Sequence, residues 1–221
     1  MEDSTNYSTT IPNGVPHATR NDAVAAMESL LHSQYPRNDV FGEGPLLLSD
    51  IPTTDPIILG IDEAGRGSVV GPMIYGMAYW SAKNSTTNSS IPKGLNDSKQ
   101  LSETTRDALF QEILAHASIG FGVRVLHASE ISRNMLRHPE PYNLNQMSHD
   151  AAIALIRAVH DTATCCLDTC YIDTVGNPQS YQRRLEREFP GVKFVVESKA
   201  DDTYPVCSAA SIGTCVCVGI V

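Results

Sequence analysis

The stretch Ile57-Ile58-Leu59-Gly60-Ile61-Asp62-Glu63-Ala64-Gly65-Arg66-Gly67-Ser68-Val69-Val70-Gly71 joins an apolar run to two adjacent carboxylates and a glycine turn. Residues 57–61 are short, rich in β-branched side chains and bounded by Pro56 and the glycines, which predicts a buried strand. Its end then holds Asp62 and Glu63 close to a packed sheet. Carboxylates crowded there repel one another, and burial further disfavours their charged forms. A cation stabilises such a pair, whether Arg, Lys or a metal. Adjacent residues of an ideal strand point to opposite faces, so the two acids serve one site only if the strand breaks there, as Gly65 suggests. Gly65 and Gly67 let the backbone turn sharply and approach a ligand closely. Free amides in such a turn, with Arg66 beside them, suit phosphate oxygens. The plainer reading is a strand-end turn whose acids face water.

The sequence of 221 residues is long enough for one domain with a real core, and 42% hydrophobic with 19% charged residues is an ordinary globular balance. No apolar run approaches the length of a membrane span. The polar, acidic N-terminus Met1-Glu2-Asp3-Ser4-Thr5-Asn6 is unlike a signal peptide, which makes an intracellular location the expectation. Six cysteines without paired Cys-x-x-Cys spacing read as small core residues or inert thiols. The net charge of −9 argues against broad electrostatic adhesion to nucleic acid. It leaves room for local reading of nucleic acid through a few cations, because acid clusters that hold metals make the bare protein look more negative.

Along the chain, residues 1–50 read as a polar, disordered extension, with a short helix over 22–32 carrying Val24, Met27, Leu30 and Leu31. The domain is expected to begin near Pro56, within 51–212. Met73 to Trp80 predicts a second strand, antiparallel to the first, and residues 81–94 a polar loop. Ser102 is a good N-cap for a helix bearing Leu109, Phe110, Ile113 and Leu114. Residues 118–126 predict a strand. Tyr142-Asn143-Leu144-Asn145 leads into a long helix with Ala152, Leu155, Ile156 and Val159 on one face. Cys170-Tyr171-Ile172 predicts a strand delivering Asp173. Pro178 starts an exposed helix through Phe189, and Val192 to Val196 a further strand ahead of Lys199-Ala200-Asp201. Histidines 116, 127, 138, 149 and 160 fall at regular intervals, but their neighbours do not repeat, so no metal array is inferred. Asp62, Asp173 and Asp201 each follow an apolar run, which is best explained by convergence at one edge of a sheet.

Several blocks in this order resemble the type 2 ribonuclease H family, in the branch of its eukaryotic catalytic subunit. They are Asp62-Glu63-Ala64-Gly65-Arg66-Gly67 with Gly71-Pro72, Asp97-Ser98-Lys99 with Leu101, and Tyr142-Asn143-Leu144-Asn145. Asp173-Thr174-Val175-Gly176 follows, then Lys199-Ala200-Asp201 with Tyr204-Pro205-Val206 and Ser208 to Ile212. The resemblance implies an α/β, ribonuclease H-like fold, a mixed central sheet flanked by helices. It implies that Asp62, Glu63, Asp173 and Asp201 are the catalytic acids and hold two Mg²⁺ or Mn²⁺ ions, hard cations that prefer oxygen ligands. Gly65, Arg66 and Gly67 would sense a ribose 2′-hydroxyl and its phosphate, and Lys99 would lie near the substrate backbone. Asn143 and Asn145 either touch substrate or cap the helix. The implied substrates are RNA–DNA hybrid and duplex DNA containing single ribonucleotides. The implied partners are the two accessory subunits of a nuclear heterotrimer.

The resemblance stops after Ile212. Gly213-Thr214-Cys215-Val216-Cys217-Val218-Gly219-Ile220-Val221 is poor helix continuation, and residues 213–221 read as an aberrant tail from a retained intron, a frameshift or a gene-model error. The expectation is therefore a fold incomplete at its C-terminus and a poorly stable product. The alternative to an active endonuclease is an inactive truncated fragment with weak nucleic-acid or partner binding. Metal-dependent cleavage separates the two. A different carboxylate–metal phosphodiesterase would cleave without preference for ribonucleotides.

Overall fold

The computed structural model describes residues 46–48, 55–67, 71–87, 91–95, 98–116, 118–161, 166–174 and 177–220, with side chains undescribed at 46–48, 85–87 and 220. The helix expected over 22–32 lies outside them. Six strands form one sheet: β1 (Leu46–Leu48), β2 (Pro56–Ala64), β3 (Met73–Ser81), β4 (Gly120–Leu126), β5 (Cys166–Asp173) and β6 (Lys193–Glu197). Their order is β1-β4-β3-β2-β5-β6. The pairs β1/β4, β4/β3 and β3/β2 are antiparallel, whereas β2/β5 and β5/β6 are parallel. The sheet is thus mixed, and β2 lies where its two halves meet. The sheet also starts earlier than expected, because Leu46–Leu48 of the polar extension pairs with β4 at the edge.

Seven helices are described: α1 (Ala82–Thr87), α2 (Glu103–Ala115), α3 (Ala128–Met135), α4 (Leu144–His160), α5 (Pro178–Glu188), α6 (Ala200–Thr203) and α7 (Pro205–Ile220). α1 corrects the expected polar loop over 81–94. Ser102 caps α2 as the sequence predicts, accepting from the Thr105 amide. Each sheet face carries its own core. Ile57, Leu59, Ile61, Tyr75 and Ile172 pack with Leu155 and Ile156 of α4 and Leu185 of α5. On the other face, Ile74, Ala78, Trp80 and Phe121 pack with Ile113 of α2 and Val206, Ala210 and Cys217 of α7.

The expected break after Ile212 is overturned. α7 runs unbroken to Ile220, and Ile212, Thr214 and Cys217 are each 0% exposed. Helix propensity is a weak prior that packing overrides. At Gly213 a Cβ would stand 2.3 Å from the Phe121 ring, so the residue that weakens an isolated helix is the one that lets this helix reach the sheet. Among the cysteines, Cys170, Cys207 and Cys217 are buried and Cys166 is exposed, and no described cysteine is disulfide-bonded.

Candidate active site

The parallel ladder between β2 and β5 ends at Ile61↔Ile172. Both residues belong to the core under α4. Side chains alternate along a strand, so the next pair, Asp62 and Asp173, shares the opposite face, the one covered by α7. Neighbouring strands lie about 4.8 Å apart, which brings the two carboxylates into direct electrostatic contact. Asp62 is 4% exposed. Burial first, then the charges of Glu63 and Asp173, push its carboxyl up to about 7, against a hydrogen bond from Ser211. The Glu63 amide donates to Asp62 Oδ1 at 2.7 Å.

Glu63 departs from expectation. The strand does not break at the two acids, because the β2/β3 ladder continues through Glu63↔Tyr75 and Ala64↔Ile74. Glu63 therefore leaves the sheet on the face opposite Asp62. Only the β5 side of the strand is released there, and the charges of Glu63 on Asp62 and of Asp173 on Glu63 show that the end of the ladder, not a break in the strand, leaves the acids within reach of one another. Burial, then the charge of Asp173, raises the Glu63 carboxyl to about 7, and the cations Arg66 and Lys99 oppose that rise. Glu63 Oε2 is buried without a hydrogen-bond partner.

Asp173 is held by the backbone. Its Oδ1 accepts from the amides of Thr174 at 3.0 Å and Lys199 at 2.8 Å. Lys199 is left-handed, at φ 62°, a conformation that costs an L-residue about 1–2 kcal/mol. That conformation turns its amide back toward Asp173 and starts α6, where Asp201 is 3% exposed. Ser208 Oγ donates to the Asp201 carbonyl. The Cys207 thiol reports the convergence of all three aspartates. Burial first, then Asp62, Asp173 and Asp201, push it well above the ordinary range.

The glycine turn forms as predicted. Gly65 has φ +83°, and a Cβ there would stand 2.2 Å from the Pro72 carbonyl oxygen. Arg66 does not extend freely from it. Its Nη1 donates to Ser148 Oγ at 2.7 Å and its Nη2 to Asn145 Oδ1, which ties the turn to the first turns of α4. Asn143 takes the capping role. It accepts from the Gln146 amide at 3.0 Å while Gln146 Oε1 accepts from the Asn143 amide at 2.9 Å, a reciprocal capping box. Lys99 sits exposed on the short 3₁₀ turn Ser98–Gln100 and acts on Glu63 through its charge. The sequence reading passed over Ser148, Ser211 and Tyr75. Ser148 stands just past the Tyr142–Asn145 block and Ser211 inside the Ser208–Ile212 block, and the register opposite Glu63 picks out Tyr75.

No three His, Cys, Asp or Glu side chains among the described residues are drawn together as a ready-made metal cage. Mutual repulsion keeps uncompensated carboxylates from collapsing onto one another. The donors nevertheless suit a hard divalent cation. They are all oxygen, Glu63 Oε2 lacks a donor, and Asp173 is oriented through one oxygen with the other outside those two hydrogen bonds.

A mixed sheet with acids gathered where the β2/β5 ladder ends, α7 across one face and α4 across the other, is a ribonuclease H-like fold. The Ribonuclease HII family matches residues 59–216, and the chain belongs to that family. It is 41% identical over 158 residues to the A subunit of ribonuclease H2 from Homo sapiens, covering 72% of this chain and 52% of that protein. The corresponding A subunit from Arabidopsis thaliana is 41% identical over 159 residues, with the same coverage. The chain thus spans about half the length of these relatives. A ribonuclease H2 crystal structure from Pyrococcus horikoshii OT3 superposes with a TM-score of 0.59 at 27% identity, covering 74% of this chain and 72% of that one. Ribonuclease HII in a PCNA complex from Archaeoglobus fulgidus gives 0.60 at 27%, covering 73% and 71%. A Bst ribonuclease HIII described in complex with Mn²⁺ shares the fold, with a TM-score of 0.58 at 23% identity and coverage of 75% and 53%.

Proposed function

We propose that this chain carries the catalytic acids of a divalent-metal-dependent endonuclease that hydrolyses the RNA strand of RNA–DNA hybrids and cuts at ribonucleotides embedded in duplex DNA. The observation that carries the reading is the end of the β2/β5 ladder, which sets Asp62 beside Asp173 with Glu63 in electrostatic contact, while Asp201 acts with the two aspartates on Cys207. In this reading Asp62, Glu63, Asp173 and Asp201 hold two Mg²⁺ or Mn²⁺ ions. The chemistry those ions supply when bound is Lewis-acid polarisation of the scissile phosphate and activation of water.

The chain's own residues do the positioning. The Thr174 and Lys199 amides fix the orientation of the Asp173 carboxylate. Arg66, braced by Ser148 and Asn145, presents the Gly65–Gly67 turn to the strand being cut. A backbone turn that approaches the ribose without a side chain in the way can read a 2′-hydroxyl, the group that distinguishes RNA from DNA. Lys99 places one positive charge beside Glu63, where a phosphate would pass. The same reading makes the chain the catalytic member of a nuclear assembly with two accessory subunits. The test is cleavage of a labelled RNA–DNA hybrid with Mg²⁺ or Mn²⁺. Cutting of the RNA strand is expected, abolished by chelation and by Asp201→Asn, while a hybrid left intact at all metal concentrations overturns the reading.

A further inference from the structure

The connection between α3 and α4 divides its apolar side chains. Ile131, Tyr142 and Leu144 pack on the core under α4. Between them, Met135 and Leu136 are 47% and 80% exposed, the two exposed large apolar side chains among the described residues. A single exposed leucine is ordinary on a protein surface. This pair stands on a loop that is closed at its base. The Asn134 carbonyl accepts from the Arg137 amide at 3.2 Å and from the Tyr142 amide at 2.9 Å. The Asn134 side chain in turn donates to Met147 Sδ of α4 at 3.5 Å. Residues 135–141 therefore project from a fixed base, with Pro139 and Pro141 limiting their backbone freedom.

The charge of the tip is opposite to that of the chain. Arg133, Arg137 and His138 are exposed around the apolar pair, against one acid, Glu140, in a chain of net charge −9. Neither arginine forms an ion pair among the described residues. The base of the tip is also continuous with the candidate site. Tyr142 leads directly into Asn143, which caps α4, and Asn145 accepts from Arg66 of the glycine turn. Cations beside exposed apolar side chains suit a polyanion whose grooves offer apolar sugar edges.

We propose that the Arg133–His138 tip is a contact to the nucleic-acid duplex, with Leu136 against sugar edges in the minor groove and Arg133 and Arg137 on phosphates. The proposal rests on the endonuclease reading for the duplex, and on exposure, charge and anchoring for the tip. Neither contact needs a 2′-hydroxyl. The tip therefore adds affinity for hybrid and all-DNA duplexes alike and leaves discrimination to the Gly65–Gly67 turn. Leu136 and Arg137 contribute differently. The apolar contact is insensitive to salt, whereas each neutralised phosphate releases counterions.

The experiment measures fluorescence anisotropy of labelled RNA–DNA hybrid and all-DNA duplexes in EDTA, so that nothing is cut, across a salt series. The chains are wild type, Leu136→Ala, Arg137→Ala and, as control, Lys193→Ala, exposed at the start of β6 and away from the acids. Steady-state cleavage in Mn²⁺ is measured alongside. Leu136→Ala is expected to weaken both duplexes about fivefold with the salt slope unchanged. Arg137→Ala is expected to weaken both and to lower the slope of log Kd against log salt by about one. Both variants raise KM with kcat held, while Lys193→Ala stays within about twofold of wild type. Wild-type affinity in Leu136→Ala, as a tip reserved for a protein partner would give, overturns the proposal. So does an unaltered slope in Arg137→Ala, a change confined to the hybrid, or an equal loss in Lys193→Ala. Binding by the wild-type chain without cleavage overturns the endonuclease reading and leaves the tip judged by affinity and slope. A wild-type chain that neither binds nor cuts overturns both.

Discussion

Asp62 and Asp173 are side by side, one residue past the last rung joining β2 to β5, both facing α7. Their proximity follows from register alone. A single-residue slip of β5 would turn Asp173 to the other face and separate the pair. The acids are therefore fixed by two paired strands in the interior of the sheet rather than by a loop.

Burial, with charge crowding behind it, makes stability depend on pH. The carboxyls of Asp62 and Glu63 rise from ordinary values of 3.8 and 4.5 to about 7 in the folded chain. Raised acids bind more protons folded than unfolded, so their contribution is fully present below about pH 4 and is lost as pH climbs through about 7. Urea denaturation of the metal-free chain is expected to show stability falling between pH 5 and 8 by on the order of a few kcal/mol. Asp62→Asn flattens that fall, and added Mn²⁺ restores stability at pH 8. A rise in stability over the same range would contradict the burial and crowding of these acids.

Arg66 is exposed and bonded to two side chains of α4, so its loss should spare the fold. Arg66→Ala is expected to keep the melting temperature and lower kcat/KM by about tenfold or more, since two charge-assisted hydrogen bonds are removed. Arg66→Lys cannot make both bonds from one planar group and should recover little. Steady-state cleavage with circular dichroism as a fold control checks this.

Gly65→Ala meets two obstacles, a φ of +83° and a Cβ standing 2.2 Å from the Pro72 carbonyl oxygen. A loss of about 1–3 kcal/mol of stability is expected, with activity reduced further because the turn itself must move. Gly67→Ala, also at positive φ but with nothing within 4 Å of its Cβ, should cost less. Denaturation midpoints of the two variants decide between them.

The C-terminal half of α7 is part of the core. Gly213→Val drives a side chain into the Phe121 ring, which already stands 2.3 Å from where a Cβ would be. A destabilisation of about 1–3 kcal/mol or more is expected from overpacking. Unaltered stability would show that residues beyond Ile212 contribute nothing to packing.

Much of this was legible in the sequence, and the failures have physical causes. β2, β3, β4 and β6 announced themselves by short apolar runs, and α4 by its apolar stripe. The acids were legible because each follows such a run. β1 escaped because three residues at a sheet edge carry no period. α1, Ala-Lys-Asn-Ser-Thr-Thr, has the composition of a loop. The tail misled because its glycines and β-branched residues disfavour an isolated helix, whereas Gly213 suits the contact with Phe121. The direction of Glu63 was misjudged because the strand was expected to break where only its β5 side is released. Ser148 and Ser211 were invisible as partners, since a serine's role depends on contacts 82 and 113 residues away along the chain.

The most direct measurement is cleavage of a DNA duplex carrying one ribonucleotide, with an all-DNA duplex alongside, in Mg²⁺ or Mn²⁺, for the wild-type chain and Asp173→Asn. The account predicts a single cut at the ribonucleotide, none in the all-DNA duplex, and loss of cutting in the variant. Equal cutting of both duplexes, no cutting by the folded wild-type chain, or undiminished cutting by Asp173→Asn would contradict it.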